Sequence, residues 1–256
     1  MCGIIGYIGK KEATAELLRG LYALEYRGYD SSGVGVFDKS GEVVIKKKKG
    51  RISELEALLA ASAGETAGAT VGIGHTRWAT HGAPNDANSH PLCGNCGTVT
   101  LVHNGIIENY VELREECIAL GDEFTSETDT EVLAHIIEHE YEKNPTDPHA
   151  ALRAAIARAS GSYALCVLFA GIDDTIFTAK KDSPLLIGHG EGETYIASDI
   201  TAFLDATRLY TPLLDGETAV IGRGEVTIFG ADGEKIKRAP VEATWDSGSA
   251  QKGHFD

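Results

Sequence analysis

The sequence predicts an α+β fold built on antiparallel sheets, and three observations carry that prediction. Strands flank helices without strict β–α alternation, which argues against a doubly wound parallel sheet. The second half of the chain reads almost wholly as short strands between Gly-rich or acidic turns. No Pro/Ser-rich linker and no internal repeat divides the 256 residues.

The elements follow in order. Residues 2–8 (CGIIGYI) read as an apolar strand, and residues 11–25 as a helix with Leu17, Leu18, Leu21 and Leu24 on one face. Gly28 stands where a C-terminal breaker is expected. Residues 33–38 and 42–48 predict a hairpin turning near Ser40 and Gly41. Ser53 and Glu56 have capping-box spacing for a short helix ending near Ala60, and 61–69 reads as a loop. Val71, Ile73 and His75 alternate with small residues as in a strand, and 79–97, rich in Gly, Asn, Pro and His, reads as a long loop. A strand is predicted over 98–103, a turn at Asn104–Gly105 and a helix over 107–120. Thr128 and Glu131 make a second capping box for a helix over 129–142, and a third helix fits 149–159. Strands are predicted at 162–169, 175–180, 185–188, 193–197, 218–222, 225–229 and 234–237. The stretch 245–256 loses apolar periodicity and reads as a tail or linker stub.

Composition narrows the function classes. Lys and Arg total 23 against 38 Asp and Glu, a net charge of −15. That balance disfavours nucleic acid and anionic membrane surfaces as partners. With 43% hydrophobic residues the chain is expected to fold rather than remain disordered. No run approaches the roughly 20 apolar residues of a membrane span, and no basic region precedes the first apolar run as in a signal peptide. Five cysteines, an odd number without a framework spacing, point to a reducing, cytoplasmic compartment.

Five segments carry candidate chemistry. Removal of Met1, the only methionine, would put a thiol and a free α-amine on Cys2. An α-amine titrates near ~7.7–8.0 and can accept a thiol proton at neutral pH. The alternative is a buried cysteine that lies near the start by chance. Arg27 and Asp30 sit in a Gly-bounded turn, where an internal ion pair would explain both. The segment 75–82 (HTRWATHG) carries Arg77, Trp78, Thr80 and His81 beside the long loop. Arg77 offers a planar fork for a carboxylate, and Trp78 a cover; the alternative is a structural Arg with a half-buried Trp. The side-chain amide of Asn104 and the backbone N–H of Gly105 can aim at one oxyanion, although Asn-Gly is a turn signal in its own right. Asp129 at a helix start could bind an ammonium, or simply favour the helix dipole.

Other features read as structural. Cys93 and Cys96 form a CxxC without a second pair, and Cys117 and Cys166 sit in apolar helix and strand patterns. A four-Cys zinc site is therefore weakly supported, with His90 nearby as a further ligand type and a surface disulfide as the other reading. Lys46 to Lys49 read as a solvated strand end. Gly188, Gly190 and Gly192 do not open a helix, so no dinucleotide site is expected.

Taken in order, MCGIIGYIG, LEYRGYDSSGV, GIGHTRWATHG, VHNGIIEN and SETDTEV resemble the N-terminal glutaminase domain of the glutamine–fructose-6-phosphate aminotransferase (isomerizing) family. Weaker likeness continues through GSYAL, SPLLIG and YIASD, so that it spans the whole chain. This family falls among the class II glutamine amidotransferases of the N-terminal-nucleophile hydrolase superfamily. Phosphoribosyl-pyrophosphate amidotransferases resemble RGQESAG and HVRYSTxG at two of these places, where this chain reads RGYDSSG and HTRWATHG.

The resemblance implies a four-layer αββα sandwich over residues 1–242 and an interdomain linker over 243–256, with two sugar-isomerase domains to follow. It implies Cys2 as nucleophile with its α-amine as base, and Asn104 and Gly105 as oxyanion hole. Arg77 would bind the carboxylate and Asp129 the ammonium of L-glutamine. Thr80 and His81 would add contacts, Trp78 would form part of a closing lid, and Arg27 would support the terminus. No metal or organic cofactor is expected for the glutaminase step, and a dimer or higher oligomer is expected of the full-length chain. Two other readings remain: a glutaminase of another class II branch, such as the phosphoribosyl-pyrophosphate type, or a non-catalytic glutamine sensor with an inert Cys2.

Overall fold

The computed structural model describes residues 2–28, 30–78 and 82–244. Strand β1 (Gly3–Ile8) leads into helix α1 (Ala13–Leu24), which closes in a 3-10 turn over Glu25–Arg27. The hairpin β2 (Ser31–Phe37) and β3 (Val43–Lys49) is followed by α2 (Ile52–Ala61), the one-turn α3 (Ala63–Thr66) and β4 (Val71–Arg77). Next come β5 (Leu92–Cys93), β6 (Val99–Ile107), α4 (Tyr110–Leu120), α5 (Glu131–Lys143) and α6 (Pro148–Arg158). Strands β7 (Gly161–Phe169), β8 (Thr175–Lys181), β9 (Leu186–Gly190) and β10 (Glu193–Ala197) precede a 3-10 turn over Ile200–Ala202. Strands β11 (Leu209–Pro212), β12 (Thr218–Gly222), β13 (Glu225–Phe229), β14 (Lys235–Ile236) and β15 (Val241–Glu242) complete the order.

Two sheets form, with the orders β15-β11-β9-β10-β1-β4-β2-β3 and β14-β13-β12-β8-β7-β6-β5. Every strand pairing within them is antiparallel. Three apolar clusters stack between four layers. Helices α1 and α2 cover the first sheet through Leu17, Leu21, Leu24, Leu55 and Tyr7. The sheets face each other through Ile4, Ile73, Val102, Cys166, Ile176 and Ile196. Helices α4, α5 and α6 cover the second sheet through Leu133, Ile137, Leu152, Leu165 and Phe169. The architecture is the αββα sandwich. Because both faces of each central strand are covered, β1 and β7 read as near-continuous apolar runs rather than alternating ones. Ile4 and Ile8 of β1 face the other sheet, while Ile5 and Tyr7 face α1.

Several local expectations are corrected. Asn104–Gly105 is not a hairpin turn: it lies inside β6, where Asn104 pairs with Ala164 and Gly105 with Tyr163. The helix expected from 107 starts at Tyr110 because β6 continues to Ile107. Neither capping box forms. Ser53 lies within α2, and α5 begins at Glu131, whose carboxylate instead accepts from the backbone N–H and hydroxyl groups of Thr125 and Ser126. The lysine run is not a plain solvated end. The Lys47 ammonium donates to the carbonyls of Ala87, Ser89 and Pro91 at 3.2, 2.9 and 3.2 Å, which pins the segment behind β3. The expected loops contain α3 and β5, and the short strands β11 and β15 at one end of the first sheet are not predicted. All five cysteines are free, so the surface disulfide is not present.

Candidate active site

The two sheets place the ends of β1, β4 and β6 side by side. Cys2 immediately precedes β1, and β1 pairs with β4 through Gly3↔Thr76 and Ile4↔His75. That register brings Cys2 opposite Arg77, at the end of β4. The Trp78 N–H donates to Cys2 Sγ at 3.2 Å, and the thiol donates to Trp78 O at 3.4 Å. Cys2 opens on a cleft lined by Arg77, Trp78, Gly105, Thr128, Asp129 and Thr130, with His75, His90 and His103 at its back. The start of β1 is held independently: Ser198 Oγ accepts from Ile4 N–H at 3.0 Å.

Arg77 ends β4 and is 4% exposed, and one of its Nη atoms donates to Gly82 O at 3.1 Å. Asp129 stands two residues before α5 rather than in its first turn. Its Oδ2 accepts the Ile107 N–H at 2.8 Å, which ties it to the end of β6. The cleft thus presents a buried cation and a buried carboxylate to one small volume. Gly105 has φ 136°, and a Cβ there would meet Ser162 O at 2.0 Å, so only glycine allows this course of β6.

Asn104 is oriented by histidine. His75 Nε2 lies 2.9 Å from Asn104 Oδ1 and 3.1 Å from His103 O. A carbonyl oxygen only accepts, so Nε2 carries the proton and Asn104 must turn its oxygen to it. The Asn104 Nδ2 group then faces Cys2 and donates to its carbonyl at 3.3 Å. The other two histidines are bonded within the same cluster. The His103 N–H donates to His90 Nδ1 at 3.3 Å, and His103 Nδ1 sits 2.8 Å from Thr130 Oγ1. The rings of His75 and His90 stack at 4.2 Å. Burial holds His75 down to about 3, and burial likewise lowers His90 and His103. Burial pushes the Cys2 thiol up, against the lowering pulls of the Trp78 N–H and the Arg77 charge.

The expected site residues are thus largely assembled. Cys2, Arg77, Trp78, Gly105 and Asp129 share the cleft, and Asn104 borders it from β6. Trp78 is 56% exposed, and its indole lies over Gly28. Arg27 stands apart and reaches out of its turn to Asp199 at 3.0 Å, next to the Ser198 anchor of β1. Thr80 and His81 lie outside the described residues, as do Met1 and residues 245–256. Sequence reading did not single out His75, His103 or Thr130. The only signal for His75 was its inward phase in the alternation of β4.

A four-layer antiparallel sandwich with a thiol at the head of a central strand, opening on a cleft of mixed charge, defines the class of N-terminal-nucleophile hydrolases. The chain belongs to the glutamine amidotransferase family, whose domain model matches residues 75–205. It is 47% identical over 256 residues to the glutamine–fructose-6-phosphate aminotransferase [isomerizing] of Clostridium tetani, covering all of this chain and 41% of that protein. The Pyrococcus horikoshii protein of the same name is 46% identical over 257 residues and is covered to 42%. Among solved structures, the phosphoribosylpyrophosphate amidotransferase of B. subtilis superposes with a TM-score of 0.73 at 26% identity, over 91% of this chain and 50% of that one. The chain therefore spans well under half the length of the curated relatives it matches. No described helix is long and apolar enough to cross a membrane.

Proposed function

We propose that this chain hydrolyses L-glutamine to L-glutamate and ammonia with Cys2 as nucleophile. The observation that carries the reading is the convergence of the Cys2 thiol, the Arg77 guanidinium and the Asp129 carboxylate on one cleft. Arg77 pairs with the α-carboxylate of glutamine and Asp129 with its α-ammonium, so that opposite charges read the two ends of the amino-acid group. Thr80 and His81 add contacts, and Trp78 closes over the bound ligand. Arg27 supports β1 at a distance, through Asp199.

Burial makes the thiol a weaker acid, so it needs a local base. Removal of Met1 supplies one as the α-amine of Cys2 itself. That amine takes the thiol proton as Sγ attacks the side-chain amide carbon. The oxyanion accepts from Asn104 Nδ2 and the Gly105 N–H. Collapse breaks the C–N bond, and the amine returns its proton to the leaving nitrogen, which departs as ammonia. Water then cleaves the γ-glutamyl thioester to glutamate and regenerates the thiol.

The whole-chain identities support ammonia delivery to fructose 6-phosphate by sugar-isomerase domains beyond residue 256, with residues 243–256 as the linker and a dimeric or larger full-length assembly. Five free cysteines support a cytoplasmic setting. The test is Cys2→Ala, assayed by glutamate release. Loss of at least a thousandfold in kcat is expected, and turnover near the wild-type rate would overturn the reading. A chain that retains Met1 should also be inactive, because its base has become an amide.

A further inference from the structure

Away from the cleft, helices α4 and α5 bring together a second set of reactive side chains. Helix α4 ends in a Schellman cap. Gly121 adopts φ 105°, its N–H donates to Ile118 O at 3.0 Å, and the Asp122 N–H donates to Cys117 O at 3.1 Å. The two residues joined by that outer bond ordinarily seal the motif with an apolar contact. Here they are a thiol and a carboxylate, folded onto each other by the cap. Opposite them, one turn apart on α5, stand His135 and His139.

Cys117 Sγ, an Asp122 carboxylate oxygen and a His139 ring nitrogen all lie within 4.8 Å of one another. His139 Nε2 is 3.1 Å from Asp122 Oδ2, and His135 Nδ1 is 3.6 Å from the same oxygen. The Asp122 and His135 side chains are only 8% and 1% exposed. The Asp122 carboxylate is contacted by His139 Nε2 and by Asn95 Nδ2, the latter at 3.3 Å, whereas both His135 ring nitrogens have no hydrogen-bond partner. Polar atoms so buried are normally satisfied, and two orphaned ring nitrogens beside this carboxylate call for a missing group.

We propose that Cys117, Asp122 and His139 bind a zinc ion, with His135, 3.6 Å from the Asp122 carboxylate, available for the fourth position. The donor set selects the metal. Thiolate, imidazole and carboxylate together suit zinc, whereas magnesium and calcium take oxygen ligands. A bound cation would replace the direct contact between His139 and Asp122 and displace the Cys117 proton to solvent. It would staple the end of α4 to the middle of α5. The site is structural rather than catalytic, because its residues belong to the outer helical layer and none lines the cleft around Cys2. His139, 21% exposed, gives the ion a route in.

The experiment is metal binding to the purified, chelator-stripped chain. One equivalent of zinc should bind and raise Tm by about 5–10 °C at a hundredfold excess over its dissociation constant. Cobalt(II) should give a thiolate-to-metal charge-transfer band. Cys117→Ser should remove the band, and Asp122→Asn or His139→Gln should reduce zinc affinity at least tenfold. A Cys93→Ser, Cys96→Ser double variant should keep both band and stoichiometry. Circular dichroism on each stripped variant separates loss of the site from loss of the fold. No zinc binding by the wild-type chain would overturn the proposal. So would an unchanged band in folded Cys117→Ser, or loss of the band in the CxxC variant. Glutamine turnover is a separate readout, so failure here leaves the role of Cys2 untouched.

Discussion

His75 is a positioning residue for the proposed oxyanion hole, and the argument rests on a proton. Its Nε2 faces two oxygens, Asn104 Oδ1 and His103 O, and can satisfy both only as an N–H donor. Burial keeps the ring neutral, so this tautomer persists across the working pH range. The Asn104 amide is thereby locked with Nδ2 toward Cys2. His75→Phe keeps a planar ring but deletes the donor, and Asn104 becomes free to flip. A kcat loss of about 10²-fold is expected, the scale of losing one oxyanion donor, with KM for glutamine within about threefold. His75→Gln restores an N–H donor and should recover much of the rate. Alkylation of Cys2 by iodoacetamide needs no oxyanion hole and should proceed at the wild-type rate in both variants. Equal falls in turnover and alkylation would show that His75 acts on the thiol or the fold instead.

At the scale of elements, the segment before α5 shows how a site is held by what precedes a helix. Glu131, 1% exposed, gathers four donors from Thr125 and Ser126 and so folds residues 125–130 into a tight loop. Asp129 rides on that loop and is fixed at its other side by Ile107. Glu131→Gln replaces one acceptor oxygen with a donor amide facing donors. A loss of about 3 kcal/mol in stability is expected, together with a roughly tenfold rise in KM for glutamine; urea midpoints and steady-state kinetics check both. An unchanged KM in a destabilised variant would uncouple the loop from substrate binding. This loop also marks the limit of reading by pattern. Thr128 and Glu131 have the spacing of a capping box, yet the carboxylate serves residues further back in the chain, a choice fixed by tertiary packing. The same limit applies to Asn104–Gly105. Local chemistry favours a turn there, but pairing with β7 keeps it in a strand. Where apolar runs were long, as in β1, α1 and β7, element and position were both legible. The terminal strand β15 and its neighbour β11 are short and partly exposed, and they carry too little pattern to be read. The α4–α5 cluster was illegible for another reason: Cys117 and His139 are 22 residues apart and meet only through helix packing.

For the whole molecule, a column of buried histidines behind the cleft sets how the fold responds to acid. His75, His90 and His103 are buried at the cleft's back, and burial depresses each below the ordinary 6.5. A depressed histidine stays neutral when folded, while the unfolded chain takes up a proton. Protonation therefore favours unfolding. Stability is full above pH 6.5 and falls progressively below it, continuing for His75 until about pH 3. Between pH 6.5 and 5.5 each such histidine should remove about 1 kcal/mol, so His75 and His90 alone account for about 2 kcal/mol. Carboxylates held low by their partners, such as Glu217 beside Arg238, lose their contribution only at more acid pH. Glu138, pushed up by burial, acts in the opposite sense. Urea unfolding between pH 7.5 and 5.5, in EDTA so that no metal on α4 and α5 contributes, isolates the histidine effect. His90→Gln should flatten the slope by about 1 kcal/mol per pH unit even if it lowers the plateau. A stability profile flat to pH 5.5 would mean that the column is already protonated in the folded chain, and the tautomers that orient Asn104 would have to be reassigned.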